Sequence, residues 1–317
     1  MNIERLEKAF GQHLRMNVPL ARYTSARLGG AADGLLDVST KDELARAADL
    51  LWSEGLNWIL LGGGSNVLVS DAGFRGVVVL NRARRVRIQE KTATPSVWAE
   101  SGANLGRVAR QVAVKGLSGL EWAAGIPGTI GGAVVGNAGA HGGDIAGNLV
   151  VAEILQRSEM VQERMPNPEI WPVERLEYAY RTSRLKRQRG QAVVLEARLR
   201  LEHGTPEAIL AKMNELTSYR HRTQPPGASM GSMFKNPPGD YAGRLIEAAG
   251  LKGKRVGDAQ ISTLHANFFV NLGKARATDV YELIQLARRT VAEKFGISLQ
   301  LEIELIGEWS DRGDQFE

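Results

Sequence analysis

The chain has 317 residues, 43% of them hydrophobic and 24% charged, which is enough apolar material for a core in roughly two domains and argues against a disordered chain. Cysteine is absent, so disulfides, thiolate nucleophiles and cysteine metal sites are excluded, and the five histidines (His13, His141, His203, His221, His265) include no pair at ligand spacing. The net charge of +5 suits an enzyme of anionic ligands; nucleic acid is disfavoured, because the densest basic run, RTSRLKRQRG at 181–190, carries no interleaved stacking aromatics.

The opening MNIERLEKAF is charged and lacks the apolar stretch of a signal peptide, and no run is long enough to cross a bilayer, so a soluble cytoplasmic protein is expected. STKDELARAADLLWSEG (39–55) reads as a helix: Thr40 and Glu43 make a capping-box pattern, and Leu44, Ala47, Ala48 and Leu51 recur at helical spacing. NWILLGGGSNVLVS (57–70) and GVVVL (76–80) read as strands separated by loops. A helix is expected from Asn104 to Lys115, with Leu105, Val108, Ala109 and Val112 on one face and Gly116 at its C-cap. VVLEARLRLEHG (193–204) alternates like a strand, and TPEAILAKMNELTSYRHRTQPPG (205–227) reads as a helix closed by Pro-Pro-Gly, with a domain boundary in that stretch. Helices follow at about Tyr241–Ala249 and at Ala277–Phe295, the second stopped by Gly296. SLQLEIELIG (298–307) alternates as a last strand, and the architecture is mixed α/β or α+β.

Two segments are rich in glycine. LLGGGSNVLVSD (60–71) is followed by strand-like residues where a dinucleotide fingerprint would open a helix, so a Rossmann loop is a poor reading. A glycine loop can still bind phosphate through successive backbone N–H groups, with Ser65 and Asn66 adding side-chain donors. GLEWAAGIPGTIGGAVVGNAGAHGGDIAG (119–147) is too dense in glycine for an ordinary helix or strand interior and too ordered for a linker. A packed turn region and a phosphate cradle both remain open for it; two such loops together favour a dinucleotide in a groove.

The stretch GLSGLEWAAGIPGTIGGAVVGNAGA resembles the flavin-binding segment of the UDP-N-acetylenolpyruvoylglucosamine reductase family, flavoenzymes of peptidoglycan precursor synthesis. Further stretches resemble that family's motifs in order: PLARYTSARLGGAAD (19–33), LLGGGSNVLVSD, YAYRTSRLK (178–186), GSMFKNP (231–237), AGRLIEAAGLKG (242–253), GDAQISTLHANFFVN (257–271) and LQLEIELIG (299–307). The likeness covers about residues 17–307. It implies a vanillyl-alcohol-oxidase-type FAD-binding fold in two α/β lobes, here 1–80 and 81–204, with a C-terminal α/β substrate domain at 205–317. Arg181 and Ser232 are 232 − 181 = 51 residues apart, which leaves no room for the tyrosine-bearing loop of the family's longer form, so the chain resembles the shorter form.

The resemblance implies NADPH-dependent reduction of UDP-N-acetylglucosamine enolpyruvate to UDP-N-acetylmuramate, with FAD passing a hydride to the enolpyruvyl β-carbon before the α-carbon is protonated. By family position Arg181 grips the carboxylate and stabilises the enolate, Ser232 is the proton donor, and Glu302 is an acid beside the reacting carbons, with a pKa raised by burial and by the substrate carboxylate. From the residues alone Arg181 is one of many surface arginines, Glu302 lies on a strand face that would ordinarily be solvated, and Ser232 is a turn serine before Lys-Asn-Pro. No catalytic triad can be read around Ser232.

FAD contacts are expected from Arg27, Gly62, Gly63, Gly64, Ser65, Asn66, Gly125, Ile126, Pro127, Gly128, Gly131, Gly132, Asn137 and Ala138. Substrate contacts are expected from Tyr180, Lys235, Asn236 and Arg244. Gln300 and Glu304 depart from the acid and the basic residue that the family often has there. Gln224 stands near where the longer form has a substrate lysine, and that role is not carried over. No metal, nucleic acid or membrane partner is expected, and a monomer is. An oxidase of the same fold and a nucleotide- or RNA-binding module are the rival readings.

Overall fold

A computed structural model of the chain describes residues 3–157 and 167–309. The described residues pack into two compact units, one of residues 3–15, 35–63, 78–157 and 167–220, the other of residues 16–34, 64–77 and 221–309.

The first unit is built on five antiparallel strands in the order Glu169–Pro172, Leu149–Gln156, Ala192–Arg200, Ser96–Glu100, Val86–Gln89. Ala152, Ala197 and Ala99 lie opposite one another across the three central strands. Helix Leu105–Ala113 turns Leu105, Val108, Ala109 and Val112 into the same core as Val97, Leu199 and Trp171. Each such leucine or valine side chain contributes about 1.5–3 kcal/mol when fully buried. The helix starts at Asn104, whose side chain accepts the Arg107 N–H, and it ends earlier than expected, with Val114 as C-cap; Gly116, at φ +72°, sits two residues beyond that cap.

Helix Lys41–Ser53 has the expected N-cap. Thr40 Oγ1 accepts from Glu43 N at 3.1 Å, and the Glu43 carboxylate accepts from Ser39 N at 2.7 Å, one residue before the expected partner. Leu44, Ala47, Ala48 and Leu51 are fully buried, as their spacing requires.

The dense glycine segment contains a helix, Ile130–Gly136, with Gly131, Gly132 and Gly136 inside it. That corrects the expectation that so much glycine excludes a helix interior. The reason is close packing: a Cβ on Gly131 would lie 2.8 Å from the Ser101 Cβ, while Gly131 N and Ile130 N each donate at 2.8 Å, to Ser101 O and Ala103 O.

The second unit has a four-stranded antiparallel sheet in the order Ala228–Ser232, Phe268–Asn271, Ala259–Ile261, Arg255–Val256. Helices Ala242–Ala248 and Ala277–Phe295 share a core with it, around Met230, Met233, Phe234, Phe269, Leu245 and Leu283. The long helix has the bounds expected from its stripe and stops at Gly296 in the left-handed region, φ +67°. Its start is capped from far away: the Asp71 carboxylate accepts the Ala277 and Thr278 N–H groups, both at 2.9 Å.

The expected last strand at 298–307 is shorter, Glu304–Ile306, parallel to Val67–Val69. The alternating stretch changes partner partway along. Lys235 N donates to Gln300 O at 2.8 Å and Glu302 N to Met233 O at 3.0 Å, whereas Glu304 N donates to Asn66 O at 2.9 Å. One strand cannot keep a single ladder across that change.

Candidate active site

In the second unit the end of the glycine loop, at Gly64, rests on the turn at 23–28. Ser25 N donates to Gly64 O at 2.9 Å, and a Cβ on Gly64, at φ +60°, would lie 2.0 Å from Tyr23 O. Glycine is required there by both conformation and space. Thr24 ties the turn: its hydroxyl accepts Leu28 N–H at 3.1 Å and donates to Leu28 O at 2.8 Å. Arg27, exposed, sits in the left-handed region at φ +56°. The N–H groups of Gly63, Gly64 and Ser65 have no acceptor among the described residues. Three successive unclaimed donors on a tight loop make a suitable cradle for a diphosphate, so this part of the chain fits FAD.

From that loop a chain of hydrogen bonds leads to two of the expected catalytic residues. Asn66 Nδ2 donates to Glu302 O at 3.1 Å, Glu304 N donates to Asn66 O at 2.9 Å, and Glu302 N donates to Met233 O at 3.0 Å. The Asn66 side chain thus ties residue 66 to the backbone of Glu302, a backbone bond ties Glu302 to Met233, and Ser232 adjoins Met233 in the chain. Ser232 and Lys235, which flank the buried Met233 and Phe234 in the chain, are half-buried. Among the described residues the Ser232 hydroxyl has no hydrogen-bond partner.

Asn236 and Arg244 are engaged within the unit. Asn236 Oδ1 accepts Ala242 N at 3.1 Å and caps helix Ala242–Ala248, while Arg244 is ion-paired with Asp240 on the surface. That pairing holds the Asp240 carboxyl well below its ordinary range, to about 2, chiefly through the hydrogen bond from Arg244.

In the first unit YAYRTS closes the glycine-rich helix Ile130–Gly136. A helix end leaves carbonyls without partners. Tyr178 Oη donates to Val134 O at 2.8 Å and Ser183 Oγ to Val135 O at 2.7 Å. The Arg181 guanidinium donates to Asn137 O at 3.4 Å and Gly139 O at 2.5 Å, a cation at the negative end of the helix. Burial pushes the Tyr178 phenol far up from its ordinary value, so it remains a donor. Arg181 has φ +56° and lies 5.3 Å from the centre of the Tyr180 ring, which is exposed.

Asn137, also left-handed at φ +47°, is 5% exposed. Its side chain donates to Ala179 O at 3.2 Å and accepts Ala146 N at 3.0 Å, so it joins the helix end to the arginine turn. Gly62 and Gly63 lie against Thr129 and Gly128: a Cβ on Gly62 would be 2.4 Å from Thr129 Oγ1, and one on Gly63 would be 3.3 Å from Gly128 Cα. Gly132 is exposed and open, and Ala138 N donates to Ala133 O. Gly125, Ile126 and Pro127 line an open depression of about 320 Å³ together with Asn104, Arg107, Arg110 and Thr217.

The residues that sequence reading missed are those that hold others. Asp71 caps the long helix, Tyr178 caps the glycine-rich one, and Asn267 binds the backbone on both sides of Phe234. Asn267 left one signal, a lone amide just before the apolar FFV of a strand.

A family model described as an FAD binding domain matches residues 32–163, and one described as the C-terminal domain of UDP-N-acetylenolpyruvoylglucosamine reductase matches residues 222–306. A UDP-N-acetylenolpyruvoylglucosamine reductase of Chloroflexus aggregans is 49% identical over 296 residues, covering 92% of this chain and 97% of that one. The enzyme of the same name from Bacillus subtilis is 41% identical over 305 residues, covering 96% and 97%. The crystal structure of UDP-N-acetylenolpyruvylglucosamine reductase from Thermus caldophilus superposes with a TM-score of 0.75 at 38% identity, covering 92% of this chain and 99% of that one. These matches support the mixed α/β FAD-binding fold class with a C-terminal substrate domain. Among the described residues no helix is long and apolar enough to cross a membrane.

Proposed function

The chain belongs to the UDP-N-acetylenolpyruvoylglucosamine reductase family, and from that premise we propose that it reduces UDP-N-acetylglucosamine enolpyruvate to UDP-N-acetylmuramate with electrons from NADPH. The reading keeps residues 1–80 and 81–204 as the FAD-binding parts and 205–317 as the substrate-binding part, in the shorter form of the family. Bound FAD supplies the hydride that reaches the enolpyruvyl β-carbon. Arg181 holds the substrate carboxylate in a fork and stabilises the charge that grows on it as the α-carbon becomes an enolate. The Ser232 hydroxyl gives its proton to the α-carbon, which completes the lactyl ether. Glu302, in its acid form, opposes charge build-up on the same carboxylate less than a bare carboxylate would. The Gly63–Ser65 amides hold the diphosphate of FAD. Tyr180, Lys235, Asn236 and Arg244 are proposed around the nucleotide substrate, Arg244 by exchanging Asp240 for a phosphate.

The observation that carries this reading is the run of hydrogen bonds from Asn66 in the glycine loop through Glu302 to Met233, beside Ser232. It joins a loop with unclaimed amide donors to an acid and a hydroxyl. The test is the flavin spectrum. The purified protein should be yellow, bleach anaerobically on addition of NADPH, and recover its colour on addition of UDP-N-acetylglucosamine enolpyruvate. A protein that takes up no FAD sinks the proposal, and turnover driven by oxygen without NADPH points to an oxidase instead.

A further inference from the structure

Ser232 is the last residue of its strand. Strand Ala228–Ser232 pairs with Phe268–Asn271 through Ser232 opposite Phe268, and the register is already irregular between Ser229 and Ser232. Beyond Ser232 the chain must be held by something other than the ladder. Asn267, 3% exposed, does this with three bonds. Its carbonyl accepts Met233 N at 2.7 Å, its Oδ1 accepts Phe234 N at 2.9 Å, and its Nδ2 donates to Phe234 O at 2.8 Å. The side chain offers one acceptor and one donor to a single residue, as a neighbouring strand peptide would. Its own N–H donates to His265 Nδ1 at 3.2 Å.

Met233 and Phe234 are 0% and 1% exposed, so an unmade bond here leaves a buried polar group without water to replace its partner. On the far side Met233 O accepts Glu302 N at 3.0 Å. With no hydrogen bond of its own among the described residues, the Ser232 hydroxyl takes its place from its backbone, which lies between the ladder pair with Phe268 and the residues that Asn267 grips.

We propose that Asn267 is a positioning residue for the reaction: by binding both polar groups of the Phe234 backbone it aims the Ser232 hydroxyl at the carbon to be protonated. This rests on the reading of Ser232 as the proton donor. Asn267→Asp keeps the size and the acceptor for Phe234 N but removes the donor and sets a second oxygen against Phe234 O. Asn267→Ala removes both bonds. The experiment loads each variant with FAD, reduces it with dithionite, mixes it rapidly with UDP-N-acetylglucosamine enolpyruvate, and follows the return of flavin absorbance.

For Asn267→Asp the expected result is reoxidation about 100-fold slower than native, the scale of loss for a displaced reacting group, with FAD content and reduction by NADPH unchanged. If Asn267→Ala fails to retain FAD, the Asp variant decides. Equal slowing of reduction and reoxidation in Asn267→Asp, or loss of its FAD, makes Asn267 a structural residue and overturns the proposal. Ser232→Ala runs in parallel. If it reoxidises at the native rate, the reading of Ser232 fails. If it is slow while Asn267→Asp reoxidises at the native rate, only the positioning role fails.

Discussion

Arg181, Arg27 and Asn137 share a property that no motif reading anticipates: each is a non-glycine residue in the left-handed region, at φ between +47° and +56°. Such a conformation costs about 1–3 kcal/mol and persists where the surroundings impose it. For Arg181 the imposing contacts are visible, since its guanidinium spans two carbonyls of the 137–139 turn. A lysine has one ammonium where arginine has a planar fork, so it can match neither that span nor a bidentate grip on a carboxylate. Arg181→Lys is therefore expected to slow reoxidation by the enolpyruvyl substrate by about 100- to 1,000-fold, the scale of losing one donor to a developing oxyanion. Reduction of its flavin by NADPH should change little; rapid-mixing absorbance measures both steps, and equal loss in both would assign Arg181 to the fold alone.

The informative elements are those whose ends are made by distant residues. Helix Lys41–Ser53 was legible because Thr40, Glu43 and the apolar stripe are all local. Helix Ile130–Gly136 was not, because Gly131 answers to Ser101, its last carbonyls answer to Tyr178 and Ser183, and Arg181 holds the turn just beyond it. The loop at 62–66 lies between these cases. Its glycines are plain in the sequence, but only the fold shows that Gly64 is needed for the close approach of Tyr23 O. Gly64→Ala must relieve both a positive φ and a 2.0 Å contact with backbone, which cannot be done by moving a side chain. The expected outcome is a protein that folds but purifies with much less FAD, read from the ratio of flavin to protein absorbance; full flavin content would remove the loop from the cofactor site.

At the scale of the molecule one charge cluster links stability to pH. Glu196, whose side chain is 4% exposed, is paired with Lys41 at 3.1 Å and Arg87 at 2.6 Å, and Lys41 also holds Glu153 at 2.6 Å. Burial works against the charge on Lys41, but hydrogen bonds and attraction from Glu153 and Glu196 outweigh it and raise the ammonium pKa above its ordinary value. A raised folded-state pKa means that this stabilisation is complete below the ordinary lysine range and is lost as pH climbs through the folded value. The native protein should therefore lose part of its urea midpoint on the alkaline side of that range. Lys41→Met should be less stable at neutral pH, with Glu196 left to Arg87 alone, and should lack that alkaline component. Parallel slopes for the two proteins would show that the cluster contributes nothing.

The sequence by itself determined what depends on neighbours along the chain. Helical stripes, local caps, the rejection of a Rossmann loop and the ordered motifs of the family are all carried by residues close in number. The tertiary structure decided which groups close the open ends. Asp71 meets Ala277, Asn66 meets Glu302, and Asn267 meets Phe234, pairs separated by 206, 236 and 33 positions. A backbone N–H or carbonyl must find a partner once water is excluded, yet nothing in its own stretch says which distant side chain arrives. For that reason Ser232 could be named from its motif, while the amide that binds the Phe234 backbone two residues on became visible only in the fold.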